Sequence, residues 1–290
     1  MNKPKDFIIS DLKWKFLIRN ILSNKNQMIA GPSGFGKTLL TQKAAKILSD
    51  KFNFFLIPMG SAQDPRSTLI GNTHFDKNKG TFFVDSKFVK AIQTKNSIIV
   101  LDDLNREHPE ASNILLSVLD YNQRCLTIDE DPKTPVINVA KNVSFIATSN
   151  FGLQYTGTKV IDRALLDRFL MFDVDLPSID EEHNLLKIKF PSTNSDQLLN
   201  LVKIAQLTRE NIKSNDPRLS NIISVRETVE LAEMLNDGFT FNEISDLIIL
   251  PMFSDEGGPD SERIFVKQII QKFIPTTKTN ESIFKKIKPF

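Results

Sequence analysis

The chain is short of the residues that build metal and disulfide centres. Its 290 residues include 1 cysteine, Cys125, which excludes an internal disulfide framework and a cysteine zinc site. Its 3 histidines, His74, His108 and His183, lie far apart in sequence, which argues against a His-rich metal centre. Charge of one sign is also lacking. Lys plus Arg is 37 and Asp plus Glu is 35, a net of +2, so coating of nucleic acid is not the main role, although a local basic patch remains open. Apolar runs such as Leu247 to Leu250 are too short to span a bilayer. Met1 to Asn26 mixes charges and has no long apolar core or small-residue cleavage site, so no signal peptide is expected. These absences predict a cytoplasmic protein without membrane partners. Aromatic residues are almost all phenylalanine, 22 against 2 Tyr and 1 Trp. The abundance of Lys, Asn and Ile fits an AT-rich genome, a phage or a low-GC bacterium; for a phage, the compartment is the host cytoplasm. Chemistry is left to glycine loops, carboxylates, lysines and arginines.

What is present suits a folded chain of two domains. Apolar residues are 40% and charged residues 25%, enough to bury a core. Between Gln27 and Leu176 short apolar runs alternate with helical patterns. Strands are expected at Gln27 to Ala30, Phe54 to Ile57, Ser97 to Leu101, Val143 to Thr148 and Phe169 to Leu176. A helix is expected over Lys37 to Asp50, with Leu40, Ala44, Ile47 and Leu48 on one face. Strands spaced by helices predict an α/β domain with a mostly parallel sheet of five strands. A hairpin is expected between Cys125 and Val139, around Asp131-Pro132.

After Pro177 the pattern turns helical. Ser178 with Glu181, Ser224 with Glu227 and Thr240 with Glu243 each have the form of a capping box, in which the hydroxyl accepts one backbone N–H and the carboxylate reaches back to another. The residue before a proline is pushed out of helix, so Pro177 marks the boundary. The expected domains are 1–177, α/β, and 178–290, all helical.

Gly31-Pro32-Ser33-Gly34-Phe35-Gly36-Lys37-Thr38 matches the phosphate-binding P-loop, between an expected strand and an expected helix. Backbone N–H groups must all point inward to cradle phosphate oxygens, which requires glycine dihedrals. The helix N-terminus adds its dipole. Residues 31–38, with Leu39 following, are the expected nucleotide cradle; Lys37 reaches the β- and γ-phosphates and the Thr38 hydroxyl sits on Mg²⁺. Ile98 to Leu101 is an apolar strand ending in Asp102 and Asp103. Downstream of a P-loop, such a pair predicts that Asp102 holds Mg²⁺ through water and that Asp103 orients and activates the attacking water.

With these motifs the chain resembles the AAA+ ATPases, most closely the MoxR-type and dynein-related branch with its CobS-like and CbbQ-like members. The resemblance covers about Asn20 to Ile270. Leu69-Ile70-Gly71 and Gly80-Thr81-Phe82-Phe83 resemble the segment leading to the central pore, which makes Phe75, Phe82 and Phe83 candidates to touch a substrate. Leu101 to Arg106 resembles the acidic motif, usually Asp-Glu followed by an apolar residue and Asn-Arg. Position 103 departs from it, since Asp is one methylene shorter than Glu, and slow hydrolysis is the expected consequence. Ala147 to Asn150 resembles the sensor-1 strand end, which implies that Asn150 helps position the water. Gly157-Thr158 and Asp162 to Phe169 resemble the segment that ends in the arginine finger; Arg168 is the expected finger and Arg163 competes with it. Ser224-Val225-Arg226 resembles the sensor-2 helix start, which implies that Arg226 contacts the γ-phosphate from a helical lid.

The resemblance implies an ATP- and Mg²⁺-dependent ATPase that assembles as a homo-oligomer, a hexameric ring, because the finger is delivered by a neighbouring subunit. It also implies a protein partner to be remodelled or activated, such as one with a von Willebrand-type domain. The same motifs admit a CobS-like chelatase subunit, a nucleic-acid-associated NTPase, and a nucleotide-gated scaffold with little hydrolysis.

Overall fold

A computed structural model describes residues 1–60, 64–78, 80–106, 108–128, 135–150 and 161–273. The chain forms two compact units, one of Met1–Lys3, Ile9–Pro32 and Lys37–Asp175, the other of Pro4–Ile8, Ser33–Gly36 and Leu176–Phe290.

The first unit is an α/β layer structure. In chain order it holds α1 (Asp11–Leu22), β1 (Gln27–Gly31), α2 (Lys37–Ile47), β2 (Asn53–Pro58), α3 (Pro65–Leu69), β3 (Gly71–Asp76), β4 (Gly80–Asp85), α4 (Lys87–Gln93), β5 (Ser97–Asp102), α5 (Pro109–Leu119), β6 (Cys125–Thr127), β7 (Val136–Asn138), β8 (Val143–Asn150), α6 (Arg163–Leu166) and β9 (Leu170–Asp173). Five strands make one parallel sheet in the order β2-β5-β8-β1-β9. Burial follows position in that order. The interior strands β5, β8 and β1 are buried almost throughout, as strands covered on both faces must be. The edge strands β2 and β9 are largely exposed or half-buried. Met28, Ile57, Phe88, Ile99, Leu101, Leu115 and Phe145 share one apolar core.

The five expected strands are all present, with shifted ends. β9 is shorter than Phe169 to Leu176, and α2 stops at Ile47 rather than Asp50. The expected hairpin is β6 paired antiparallel with β7; Asp131 and Pro132 lie outside the described residues. The helix α1 was not anticipated. Its signal is the spacing of Trp14, Leu17, Ile18 and Ile21, all buried, behind an N-cap at Ser10.

The second unit is helical, with α7 (Ile179–Lys189), α8 (Ser195–Lys213), α9 (Val225–Asp237), α10 (Phe241–Ile244) and α11 (Glu262–Phe273). All three capping boxes form, with both reciprocal hydrogen bonds in each. The run after Thr240 does not continue as one α-helix. It passes from α10 into a π-helical turn, Ser245–Ile249, and then a 3₁₀ turn, Leu250–Met252. Leu186, Leu201, Ile204, Leu231, Ile244 and Ile269 belong to the apolar core of this unit.

That core also contains an ion pair. Glu182 on α7 and Arg209 on α8 are both fully enclosed and joined by two parallel hydrogen bonds. Thr228 on α9 donates its hydroxyl hydrogen to Glu182 Oε1 at 2.6 Å, and Arg209 Nε donates to the Ile223 carbonyl at 2.7 Å. Three helices are therefore tied to one buried charge pair. Removing one partner leaves an uncompensated charge in the core. Glu182→Ala is expected to destabilise the second unit by about 3–5 kcal/mol, read as a shifted urea midpoint of its transition. A loss under about 1 kcal/mol would mean that water reaches Arg209 and that the pair is not sealed.

Candidate functional site

Parallel strands bring their carboxyl ends to one edge of a sheet, and ligands of open α/β folds bind beyond that edge. Here β5, β8 and β1 end side by side. β1 runs into the P-loop and α2 starts at Lys37. Gly34 has φ 79° and Gly36 φ 77°, left-handed conformations that glycine adopts without strain. Within the second unit, Phe35 is buried and the Arg209 guanidinium lies 5.3 Å from its ring centroid. Pro32 is half-buried; Ser33 and Leu39 are exposed.

Lys37 is buried. Its ammonium donates to the carbonyls of Gly31 at 3.0 Å and Pro32 at 2.7 Å, and to Asn150 Oδ1 at 2.7 Å. Asn150 in turn donates from Nδ2 to Asp103 Oδ1 at 2.9 Å. The second chain of contacts starts at Thr38, whose hydroxyl donates to Asp102 Oδ1 at 2.6 Å. Thr148 donates to the same oxygen at 2.7 Å and accepts the Asp103 N–H at 2.9 Å. Lys37, Thr38, Asp102, Asp103 and Asn150 are thus brought together from α2, the end of β5 and the end of β8.

The donor set at Thr38 and Asp102 is a hydroxyl and a carboxylate, hard oxygen ligands that suit Mg²⁺ shared with a phosphate. Among the described residues, no group of three or more His, Cys, Asp or Glu is placed to hold a metal without such help. Asp103 has φ 55°, left-handed, a region in which Asp is enriched among non-glycine residues.

Two participants were not singled out from sequence. Thr148 had a usable signal: it lies two residues before Asn150 in a strand, hence on the same face. Asn105, which holds the Asn150 backbone, had none beyond its place in the acidic motif.

The arginines are set differently from one another. Arg168 gives three of its N–H groups to its own chain: Nε to the Leu116 carbonyl at 3.4 Å, one on Nη1 to the Ala164 carbonyl at 2.7 Å, and one on Nη2 to Asp120 Oδ2 at 3.2 Å. Its partner is Asp120, not its sequence neighbours Asp162 and Asp167. Arg163 is exposed, with no side-chain hydrogen bond or ion pair among the described residues. Arg226 is exposed at the second position of α9, and its backbone N–H donates to the Gly34 carbonyl at 3.0 Å inside the second unit. A cation there opposes the helix dipole, so helix stability does not explain it. Gly157 and Thr158 lie outside the described residues.

The pore candidates separate. β3 and β4 form an antiparallel hairpin in which Phe75 is 74% and Phe82 39% exposed, while Phe83 packs on the core of the first unit.

Comparison with known proteins places the chain in a family. A family model described as AAA domain (dynein-related subfamily) matches residues 26–169. "Putative chaperone BssE" of Thauera aromatica is 31% identical over 221 residues, which are 75% of this chain and 72% of the relative. An uncharacterized protein of Staphylococcus saprophyticus is 29% identical over 217 residues, 73% of this chain and 78% of the relative. Among solved structures, a RuvB variant of Thermotoga maritima superposes with a TM-score of 0.51 at 14% identity, covering 93% of this chain and 73% of that one, a likeness of fold.

Lys37→Ala removes the ammonium buried behind the loop. Affinity for a fluorescent ATP analogue is expected to fall by about 100-fold or more, the weight of two charge-assisted hydrogen bonds to phosphate. Unchanged affinity in the titration would mean that this loop does not hold the phosphates.

Proposed function

Because the chain belongs to the dynein-related subfamily of AAA domain proteins, we propose that it binds and hydrolyses ATP as a ring of identical subunits and so remodels or activates a protein partner. The observation that carries this reading is the continuous link from Lys37 through Asn150 to Asp103. It ties the group that meets the phosphates to the group that meets the water.

In this reading residues 31–39 cradle the nucleotide, within a nucleotide-binding domain over 1–177 and a helical lid over 178–290. Lys37 turns to the β- and γ-phosphates the two donors that the Gly31 and Pro32 carbonyls otherwise hold, and keeps its bond to Asn150; Thr38 and Asp102 hold Mg²⁺. The metal supplies charge neutralisation to the phosphate oxygens. Asp103 accepts a proton from the attacking water at its carboxylate, and Asn150 orients that carboxylate through Nδ2. Arg226 binds the γ-phosphate.

Arg168 serves the neighbouring subunit's site as the arginine finger. Guanidinium has five N–H donors, so the three given to its own chain fix its plane and leave two for a phosphoryl group. Arg163, which is exposed, is the alternative. The exposed Phe75 and Phe82 of the β3–β4 hairpin are the proposed partner-touching residues, and the chaperone description of the Thauera relative supports a protein as the substrate. Among the described residues, no helix is long and apolar enough to cross a membrane.

Asp103→Asn is expected to lower ATP turnover by about 100-fold or more with ATP binding retained, so that the ATP-bound variant captures the partner in a pull-down. Wild-type turnover in that variant would remove Asp103 as the base. Arg168→Ala should abolish turnover alone and regain part of it when mixed with Asp103→Asn subunits, since mixed interfaces then hold one intact site. Rescue by Arg163→Ala and not by Arg168→Ala would move the finger to Arg163, and rescue by neither would remove the shared site.

A further inference from the structure

We propose that Asn105 is a positioning residue for hydrolysis: its carboxamide takes the place of a strand neighbour at the end of β8 and so sets the Asn150 side chain between Lys37 and Asp103. The proposal rests on the roles given above to Asn150 and Asp103.

The need for such a group follows from the sheet. The ladder between β5 and β8 runs from Ser97 and Val143 to Leu101 and Ala147. β8 continues through Thr148 and Ser149 to Asn150. The chain leaving β5 does not follow. It turns at Asp103, φ 55°, and winds into a 3₁₀ turn at Leu104–Arg106. On its other side β8 still pairs with β1, as far as Gly31 opposite Asn150. The last residue of β8 is therefore supported by a backbone on one side only.

Asn105 supplies the other side. It is 1% exposed, and its Nδ2 donates to the Asn150 carbonyl at 3.0 Å while its Oδ1 accepts the Asn150 N–H at 3.1 Å. One carboxamide thus satisfies both polar groups of one residue, as an antiparallel neighbour would. Two hydrogen bonds fix both the height and the rotation of that residue. Its side chain is then held by charge logic. An ammonium only donates and a carboxylate only accepts, so Oδ1 faces Lys37 at 2.7 Å and Nδ2 faces Asp103 at 2.9 Å. Both side-chain hydrogen bonds of Asn105 go to the Asn150 backbone, so it acts on Lys37 and Asp103 through Asn150. A small loss of register at Asn150 misaligns the carboxylate that meets the water, and sub-ångström placement is worth large factors in rate.

Asn105→Asp tests this, because it keeps the shape and one acceptor and replaces the donor with a carboxylate oxygen facing the Asn150 carbonyl. Its kcat for ATP is expected to fall by about 10- to 100-fold, with KM and ADP affinity within about twofold of wild type. Asn105→Ala should behave alike, and it carries the test if the buried charge of the Asp variant prevents folding. The decisive measurement is the cycle with Asn150→Ala. In that background Asn105→Asp is expected to change kcat no further, since the group through which it acts is gone. An equal loss in both backgrounds would overturn the proposal in favour of general destabilisation. Wild-type kcat in Asn105→Asp, with Asn150→Ala slow, would overturn this proposal alone. Wild-type kcat in Asn150→Ala would overturn the reading of the site and the proposal with it.

Discussion

The hydrogen bond between Lys37 and Asn150 is the constraint on which the geometry of the candidate site depends. An ammonium enclosed in protein needs acceptors on every side, and here they come from two carbonyls of the loop and one amide of β8. The pairing of β1 with β8, which ends with Gly31 opposite Asn150, brings Gly31, Pro32 and Lys37 to the end of β8. With β8 between β5 and β1, the acid pair at the end of β5 falls on the far side of the same amide. Sheet order, loop and carboxylates are one arrangement seen from three strands.

Much of this was readable in the residues. The near-unbroken Ile, Val and Leu run of β5 marks a strand covered on both faces, and all five expected strands proved to lie in the sheet. Capping boxes mark helix starts because both halves of the reciprocal pair are local, and the three in the second unit form as written. Glycine spacing marks the loop because φ near +78° is a demand on the residue itself. Each of these signals is short-range.

What sequence did not carry was long-range. Strand order is decided by which edges meet, and nothing local to β1 places it beside β9. Arg168 has acids next to it in sequence yet bonds Asp120, 48 residues away. The pairing of Glu182 with Arg209 spans two helices and resembles two ordinary surface charges until both are seen inside the core. The continuation after Thr240 failed locally instead. A proline, Pro251, follows closely, and the helix loosens into a π turn and tightens into a 3₁₀ turn rather than running on.

Asp103 shows how the main chain can aim a short acid. The acid there lacks a methylene relative to Glu, and its backbone is rotated to φ 55°, which swings the Cα–Cβ bond to a direction that an extended residue would not give. At this position the aim of the carboxylate is a property of the main chain as much as of the side chain. Replacing it with Glu would lengthen the arm and, because left-handed backbone favours Asp over Glu, strain the shoulder.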